Sequence, residues 1–67
     1  MSALDKFEIY EKEAFNQVTE IKDRLDELHS RMAKYPDACN WAKVGDIMRL
    51  NCDLDNILRY MRQITPN

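Results

Sequence analysis

Apolar residues in the first half of the chain recur at alternating intervals of three and four positions. Within this row only Glu11 is polar. Such alternation is the heptad pattern of coiled coils, which places one apolar stripe along an α-helix. The pattern predicts a first helix over residues 3–34. The row consists of Leu4, Phe7, Ala14, Val18, Ile21, Leu25, Leu28, Met32 and Tyr35.

Residues near the predicted helix ends support this helix and predict a second one. Pro36 ends the first helix, because the residue before a proline is driven out of the helical conformation. Residues 35–40 then form a loop, in which Asp37 or Asn40 caps the next helix. A loop this short returns the second helix antiparallel to the first. The start is marked by a predicted capping box of Ser2 and Asp5, and the outer face by the predicted ion pairs Glu8–Lys12, Glu20–Arg24 and Glu27–Arg31.

The second helix, predicted over residues 41–64, carries more apolar rows than a hairpin needs. One row continues the heptad stripe of the first helix, and we call these two stripes together the seam. Two further apolar rows lie beside it on the second helix, which predicts contact with more than one neighbour. We therefore expect an all-α fold: one domain over residues 1–67, a long antiparallel two-helix hairpin that dimerises into a four-helix bundle. In the second helix the seam is Val44, Ile47, Asn51, Leu54, Leu58 and Met61; the second row is Leu50, Ile57 and Ile64; the third is Trp41, Gly45, Met48 and Cys52. The predicted oligomer interface comprises Leu50, Ile57, Ile64 and Met48.

The predicted helices differ in length. If the loop centres near Ala38, the second helix ends opposite Glu11. The apolar residues that precede Glu11 in the first helix then extend past the end of the second helix and form an overhang. They form either a frayed end or a surface for a partner or a second copy, and four large apolar side chains favour the surface. The residues in this overhang are Leu4, Phe7, Ile9 and Tyr10. The predicted partner-binding residues are Phe7, Ile9, Tyr10, Phe15 and Trp41.

Several of these residues have a second interpretation. Phe15 can instead wedge between hairpins, and Trp41 can plug the loop end of the core. Asn51, a polar residue in the seam, is expected to set register and oligomeric state, or else to line a ligand pocket. Gly45 either permits close helix approach beside Trp41 or marks a short first turn that ends before Asp46.

Composition narrows the possible functions. Because Cys39 and Cys52 are thirteen residues apart, one helix would separate them by roughly 20 Å, which is too far for a disulfide. Free thiols and the absence of a signal peptide or membrane span predict a cytoplasmic location. The formal net charge of −2 disfavours nucleic-acid binding. The lone His29 and the adjacent acidic residues form no catalytic or metal-binding pattern, so we expect a non-enzymatic protein with no cofactor and no metal.

The segment Trp41-Ala42-Lys43-Val44-Gly45-Asp46-Ile47, followed by Leu54 and Ile57-Leu58, resembles small phage- or prophage-encoded helical proteins of unassigned role. This resemblance covers under half of the chain and implies a host-takeover or counter-defence role. In architecture the chain is also similar to the plasmid-copy-control hairpins, which dimerise into four-helix bundles and bind paired RNA loops. No residue motif of that family can be placed in this sequence.

Three functions remain as hypotheses. The first is a stoichiometric interaction protein, an adaptor or inhibitor, in which a homodimer lays helix faces on a protein target. The second is an oligomer that holds a small anionic ligand such as a nucleotide between hairpins, through Asn51, Arg59, Tyr60 and Arg62. The third is a dimeric hairpin that binds RNA.

Overall fold

The computed structural model describes residues 2–66, and this part of the chain contains two long helices and no strand. Helix α1 spans Ala3–Lys34, a 3-10 turn spans Pro36–Ala38, and helix α2 spans Trp41–Ile64. The predicted all-helical, two-helix architecture is confirmed. At 1.5 Å per residue, the 32 residues of α1 extend about 48 Å and the 24 residues of α2 about 36 Å. Each long helix belongs to a separate compact unit, and the two are described in turn.

Helix α1 begins at the predicted capping box. The Asp5 backbone N–H donates to Ser2 Oγ at 3.2 Å, and the Ser2 backbone N–H donates to Asp5 Oδ2 at 3.1 Å. At the other end the Tyr35 backbone N–H donates to the Arg31 carbonyl at 2.8 Å, and Pro36 follows directly. Each end of α1 is therefore fixed by residues within a few positions of it.

Exposed ion pairs line the outer surface of α1. Arg24 Nε lies 2.8 Å from Glu20 Oε2, and Arg31 lies 3.0 Å from the Glu27 carboxylate. The hydrogen bond that Arg24 donates to the Glu20 carboxylate raises the pKa of Arg24 above its ordinary value. Solvent screens exposed pairs of this kind, so they stabilise a helix only weakly. The third predicted pair, Glu8–Lys12, is not among the ion pairs formed within residues 2–66.

Helix α2 begins with a side-chain cap from Asn40. Asn40 Oδ1 accepts a hydrogen bond from the Lys43 backbone N–H at 3.0 Å, so Asn40 rather than Asp37 is the cap. At the far end the backbone N–H and the side-chain hydroxyl of Thr65 both donate to the Met61 carbonyl. Arg59 Nε also lies 3.0 Å from Oδ2 of Asp55, which is one turn earlier in α2, and both side chains are exposed.

Gly45 lies inside α2 and does not interrupt it. The helix continues from Trp41 to Ile64, so the possible interpretation of Gly45 as the end of a short first turn is wrong. A Cβ atom built at Gly45 meets no heavy atom within 4 Å. Nothing within the described part of the chain therefore requires glycine at this position.

Apolar side chains remain accessible along both helices. No side chain in residues 2–66 is fully buried. The least exposed apolar side chains are seven and four residues apart in α1 and three and four residues apart in α2, as expected for one stripe per helix. Each helix thus retains an apolar stripe that further protein surface can cover. The partly buried residues are Ile21, Leu28 and Met32 in α1, and Ile47, Leu50 and Leu54 in α2.

Candidate interaction surfaces

The first candidate surface lies on the first four turns of α1 and comprises Leu4, Phe7, Glu11 and Phe15; we call it the Phe7 surface. With about 100° of rotation per residue, these four positions fall within an arc of roughly 80°. The Phe7 and Phe15 side chains are 59% and 65% exposed. Glu11 lies one turn after Phe7 and one turn before Phe15, so its carboxylate lies between the two aromatic residues along the helix.

The other two predicted partner-binding residues of α1 lie in different places. Tyr10 borders the Phe7 surface, about 60° from Phe7 around the helix, and is exposed. Ile9 lies on the opposite side of α1, where it lines a shallow groove with Asp5, Glu8 and Lys12. Phe7 thus has Tyr10 on one side of it and Phe15 on the other, about 140° apart around the helix, and Ile9 lies opposite Phe7.

Acidic groups are concentrated on the first turns of α1. Four carboxylates and two ammonium groups lie between residues 3 and 13, so this segment carries as much net charge, −2, as the whole chain. The remainder of the chain is formally neutral. Glu11 lies within the Phe7 surface and Glu8 lies beside it, whereas Asp5 and Glu13 are more than about 100° from its centre, so a protein that covers the surface meets two of the four carboxylates. The acidic groups are Asp5, Glu8, Glu11 and Glu13, and the basic groups are Lys6 and Lys12.

The second candidate surface is the row Leu50, Ile57 and Ile64 on α2, which we call the Ile57 row. Its members are seven residues apart and therefore lie along one line of the helix. Ile57 and Ile64 are each 53% exposed, and Leu50 is partly buried. The flank on one side of the row is apolar, and the flank on the other side is polar. Leu54 and Met61 form the apolar flank, and Asp53 and Tyr60 the polar one.

The third candidate surface is near the start of α2. The Trp41 side chain is 87% exposed, and Gly45, Met48 and Cys52 follow it at intervals of three and four on the same side of the helix. Met48 is about 200° of rotation from Leu50, so the structure does not place it on the Ile57 row.

Asn51 and the two cysteines are exposed as well. Cys39 and Cys52 are free thiols. The Asn51 side chain lies in the predicted seam and is accessible within the single chain. Whether Asn51 sets the register of the packed helices depends on what covers α2, so this role of Asn51 stays a prediction.

The described part of the chain contains neither a cluster of metal ligands nor a membrane-spanning helix. Among residues 2–66 no three or more His, Cys, Asp or Glu side chains lie together as metal ligands would. Neither long helix has a stretch that is long and apolar enough to span a lipid bilayer.

The sequence-based choice of site residues missed the positions between the apolar groups. Glu11 was treated as an interruption of the seam, although its spacing of four from Phe7 and from Phe15 places it between them. Asp53 was not selected, although it precedes Tyr60 by seven residues on the same flank. Helical angle, rather than proximity in sequence, is the signal that identifies both residues.

Comparisons with protein-family models, with curated proteins and with solved structures find no match to this chain. The resemblance to phage-encoded helical proteins stays a prediction.

Proposed function

We propose that this protein is a stoichiometric protein-interaction module, which associates with a second copy of itself and binds another protein through the Phe7 surface. The observation that carries the proposal is the exposure of Phe7, Tyr10 and Phe15 on the first turns of a capped helix. Aromatic side chains on a preformed helix contribute much of the affinity of protein interfaces, because little conformational entropy is lost when they bind.

The proposed assembly begins with an antiparallel hairpin of α1 and α2, and two hairpins then form a four-helix bundle. A bundle covers the apolar stripes that each helix leaves accessible, and this burial is the main stabilising term for so short a chain. Since α1 has 32 residues and α2 has 24, about two turns of α1 extend past the hairpin. The Phe7 surface begins on those turns and is left for a target.

The proposed binding is helix-face recognition. Full burial of an exposed aromatic side chain stabilises a complex by about 1.5–3 kcal/mol, so three of them supply about 4.5–9 kcal/mol before the cost of association is subtracted. Micromolar affinity corresponds to about 8 kcal/mol, so the target must also contact residues around the aromatic ones. The carboxylate of Glu11 needs a hydrogen-bond donor when it is covered, which favours targets that present a cation. The protein would thus act as an adaptor or an inhibitor by occupying a surface of its target in the cytoplasm.

The resemblance of the segment around Trp41 to phage-encoded helical proteins supports a more specific form of this proposal. In that form the target is a host protein, and the chain blocks it during infection. Binding in a fixed ratio, without turnover, is the property that separates this role from an enzymatic one.

Affinity capture from the lysate of the native host, followed by mass spectrometry, tests the proposal. The wild-type chain should capture a discrete protein at a saturable ratio, and the double variant Phe7→Ala/Tyr10→Ala should lose it. Ile9→Ala is the matched control, because Ile9 lies on the opposite side of the same turns and its substitution should leave capture unchanged.

The mass and melting temperature of each variant complete the test. The double variant should keep the oligomeric mass and nearly the same melting temperature as the wild type. If it instead falls apart into monomers, the Phe7 surface serves self-association, and the proposed target surface is refuted. If capture persists with the oligomer intact, Phe7 and Tyr10 do not bind the target.

A further inference from the structure

The residues around Ile57 indicate how two copies meet. We propose that α2 pairs with α2 of a second copy in an antiparallel arrangement, with a two-fold axis at Ile57. This inference rests on the homodimer in the proposed function and adds its interface, its orientation and a specific polar contact. The Ile57 row is the observation from which it starts, since both of its isoleucines are about half exposed.

The apolar row is symmetric about Ile57. Leu50 lies seven residues before Ile57 and Ile64 lies seven residues after it, each at an axial distance of about 10.5 Å. In an antiparallel pair centred on Ile57, Leu50 therefore lies level with Ile64 of the second copy. Ile57 meets its own symmetry mate at the axis. Such self-complementarity is required of a two-fold symmetric interface, in which one patch contacts itself.

Both flanks of the row are complementary in the same arrangement. A two-fold axis perpendicular to the helices brings equal flanks of the two copies together. Leu54 and Met61 lie three residues before and four residues after Ile57, so Leu54 meets Met61 of the second copy with an axial offset of about 1.5 Å. The apolar flank therefore packs against itself.

The polar flank pairs an acceptor with a donor. Asp53 and Tyr60 lie four residues before and three residues after Ile57, on the flank opposite Leu54, and both side chains are exposed. The same small axial offset brings the Tyr60 hydroxyl of one copy beside the Asp53 carboxylate of the other. The phenol donates to the carboxylate, and symmetry forms this hydrogen bond twice. Charge-assisted bonds of this kind are stronger than neutral ones.

A parallel pair has no such complementarity. Its two-fold axis runs along the helices and brings opposite flanks together, so each Asp53 lies against the apolar flank of the second copy. A carboxylate covered by Leu54 loses water without gaining a hydrogen-bond donor, which is unfavourable. The flank residues therefore favour the antiparallel orientation. A second copy of this chain is complementary to the Ile57 row, to its apolar flank and to its polar flank, and is the protein that covers this surface.

Disulfide trapping tests the orientation. In a background of Cys39→Ser and Cys52→Ser, one preparation carries Leu50→Cys and a second, with a mass tag, carries Ile64→Cys. The two are mixed, allowed to exchange and oxidised. The antiparallel pair predicts a mixed disulfide between the two preparations and almost no disulfide in either preparation alone, because each cysteine is then about 21 Å along the axis from its own symmetry mate.

The alternative outcomes are distinguishable. A disulfide that forms within each preparation alone shows a parallel pair and overturns the inference. A dimer by light scattering that forms no disulfide in any mixture places the interface elsewhere and also overturns it. A monomer by light scattering, with helicity retained, refutes the homodimer of the proposed function itself. Circular dichroism of each cysteine variant establishes that helicity is retained.

A double-mutant cycle tests the polar contact independently of the cysteines. Tyr60→Phe and Asp53→Ala should each raise the Kd of the dimer by about tenfold or more, since each removes both symmetry-related hydrogen bonds. Combined, they should raise it little further than either alone. Tyr35→Phe removes the same hydroxyl from the end of α1 and should leave the Kd unchanged. Additive effects of Tyr60→Phe and Asp53→Ala would show that the two residues do not touch.

Discussion

At the scale of single residues, Gly45 lies at an ordinary helical position with open space around it. Glycine inside a helix costs roughly 0.5–1 kcal/mol relative to alanine, because its backbone loses more freedom on folding. We expect Gly45→Ala to raise the free energy of unfolding by about that amount, as measured by urea unfolding at fixed protein concentration. A lower stability would show that the assembled protein packs another chain segment against the bare backbone of Gly45.

Asn51 is the polar residue of the α2 seam. If a bundle covers it, its amide sets register at some cost in stability, which leucine would restore. Asn51→Leu should therefore melt at a higher temperature and form assemblies of more than one mass by native mass spectrometry. A lower melting temperature with one unchanged mass would show that the amide makes hydrogen bonds that the assembled state needs.

At the scale of the helices, the capping box of α1 lies next to the Phe7 surface. Ser2→Ala removes the acceptor of the Asp5 N–H and should cost about 0.5–2 kcal/mol. Amide hydrogen exchange should become faster over the first two turns, and less so beyond them. Ser30→Ala is the matched control, because Ser30 donates to the Asp26 carbonyl at 3.0 Å within the same helix and caps nothing. Equal effects of the two substitutions would contradict a capping role for Ser2.

The helix ends could be predicted because the interactions that fix them are local. Ser2 with Asp5, and Pro36 after Tyr35, act over three residues or fewer, so the sequence alone contains the relevant partners. The Glu8–Lys12 pair was predicted by the same spacing rule but is not formed. An exposed ion pair is worth only a few tenths of a kcal/mol, roughly the thermal energy, so spacing gives a tendency rather than a contact.

The candidate site was less predictable than the fold. Phe7 has Tyr10 and Phe15 on either side of it, whereas Ile9, which is close to Phe7 in sequence, faces away from Phe7. Which side of α2 is covered depends on contacts between residues distant in sequence or in another copy. The heptad spacing identifies the rows of α2, but it does not specify the partner of each row.

At the scale of the whole molecule, no side chain in residues 2–66 is fully buried, and small proteins commonly gain a larger core by association. We expect a homodimer at micromolar concentration, as measured by light scattering. The melting temperature should rise with protein concentration, because folding and association are then linked. A monomer mass with full helicity, and a melting temperature independent of concentration, would contradict the prediction.

The exposure of Trp41 has a practical consequence. It is the single tryptophan of the chain, and its indole lies almost entirely in solvent on the first turn of α2. The chain also has three tyrosines, but excitation beyond their absorption band selects the tryptophan, so that emission comes from one ring at one place. An emission that shifts to shorter wavelength during a titration reports that a partner has covered the start of α2. An unchanged emission during binding shows that the partner contacts the chain elsewhere. The molecule thus carries its own optical probe of whether the start of α2 is covered, and no label is needed.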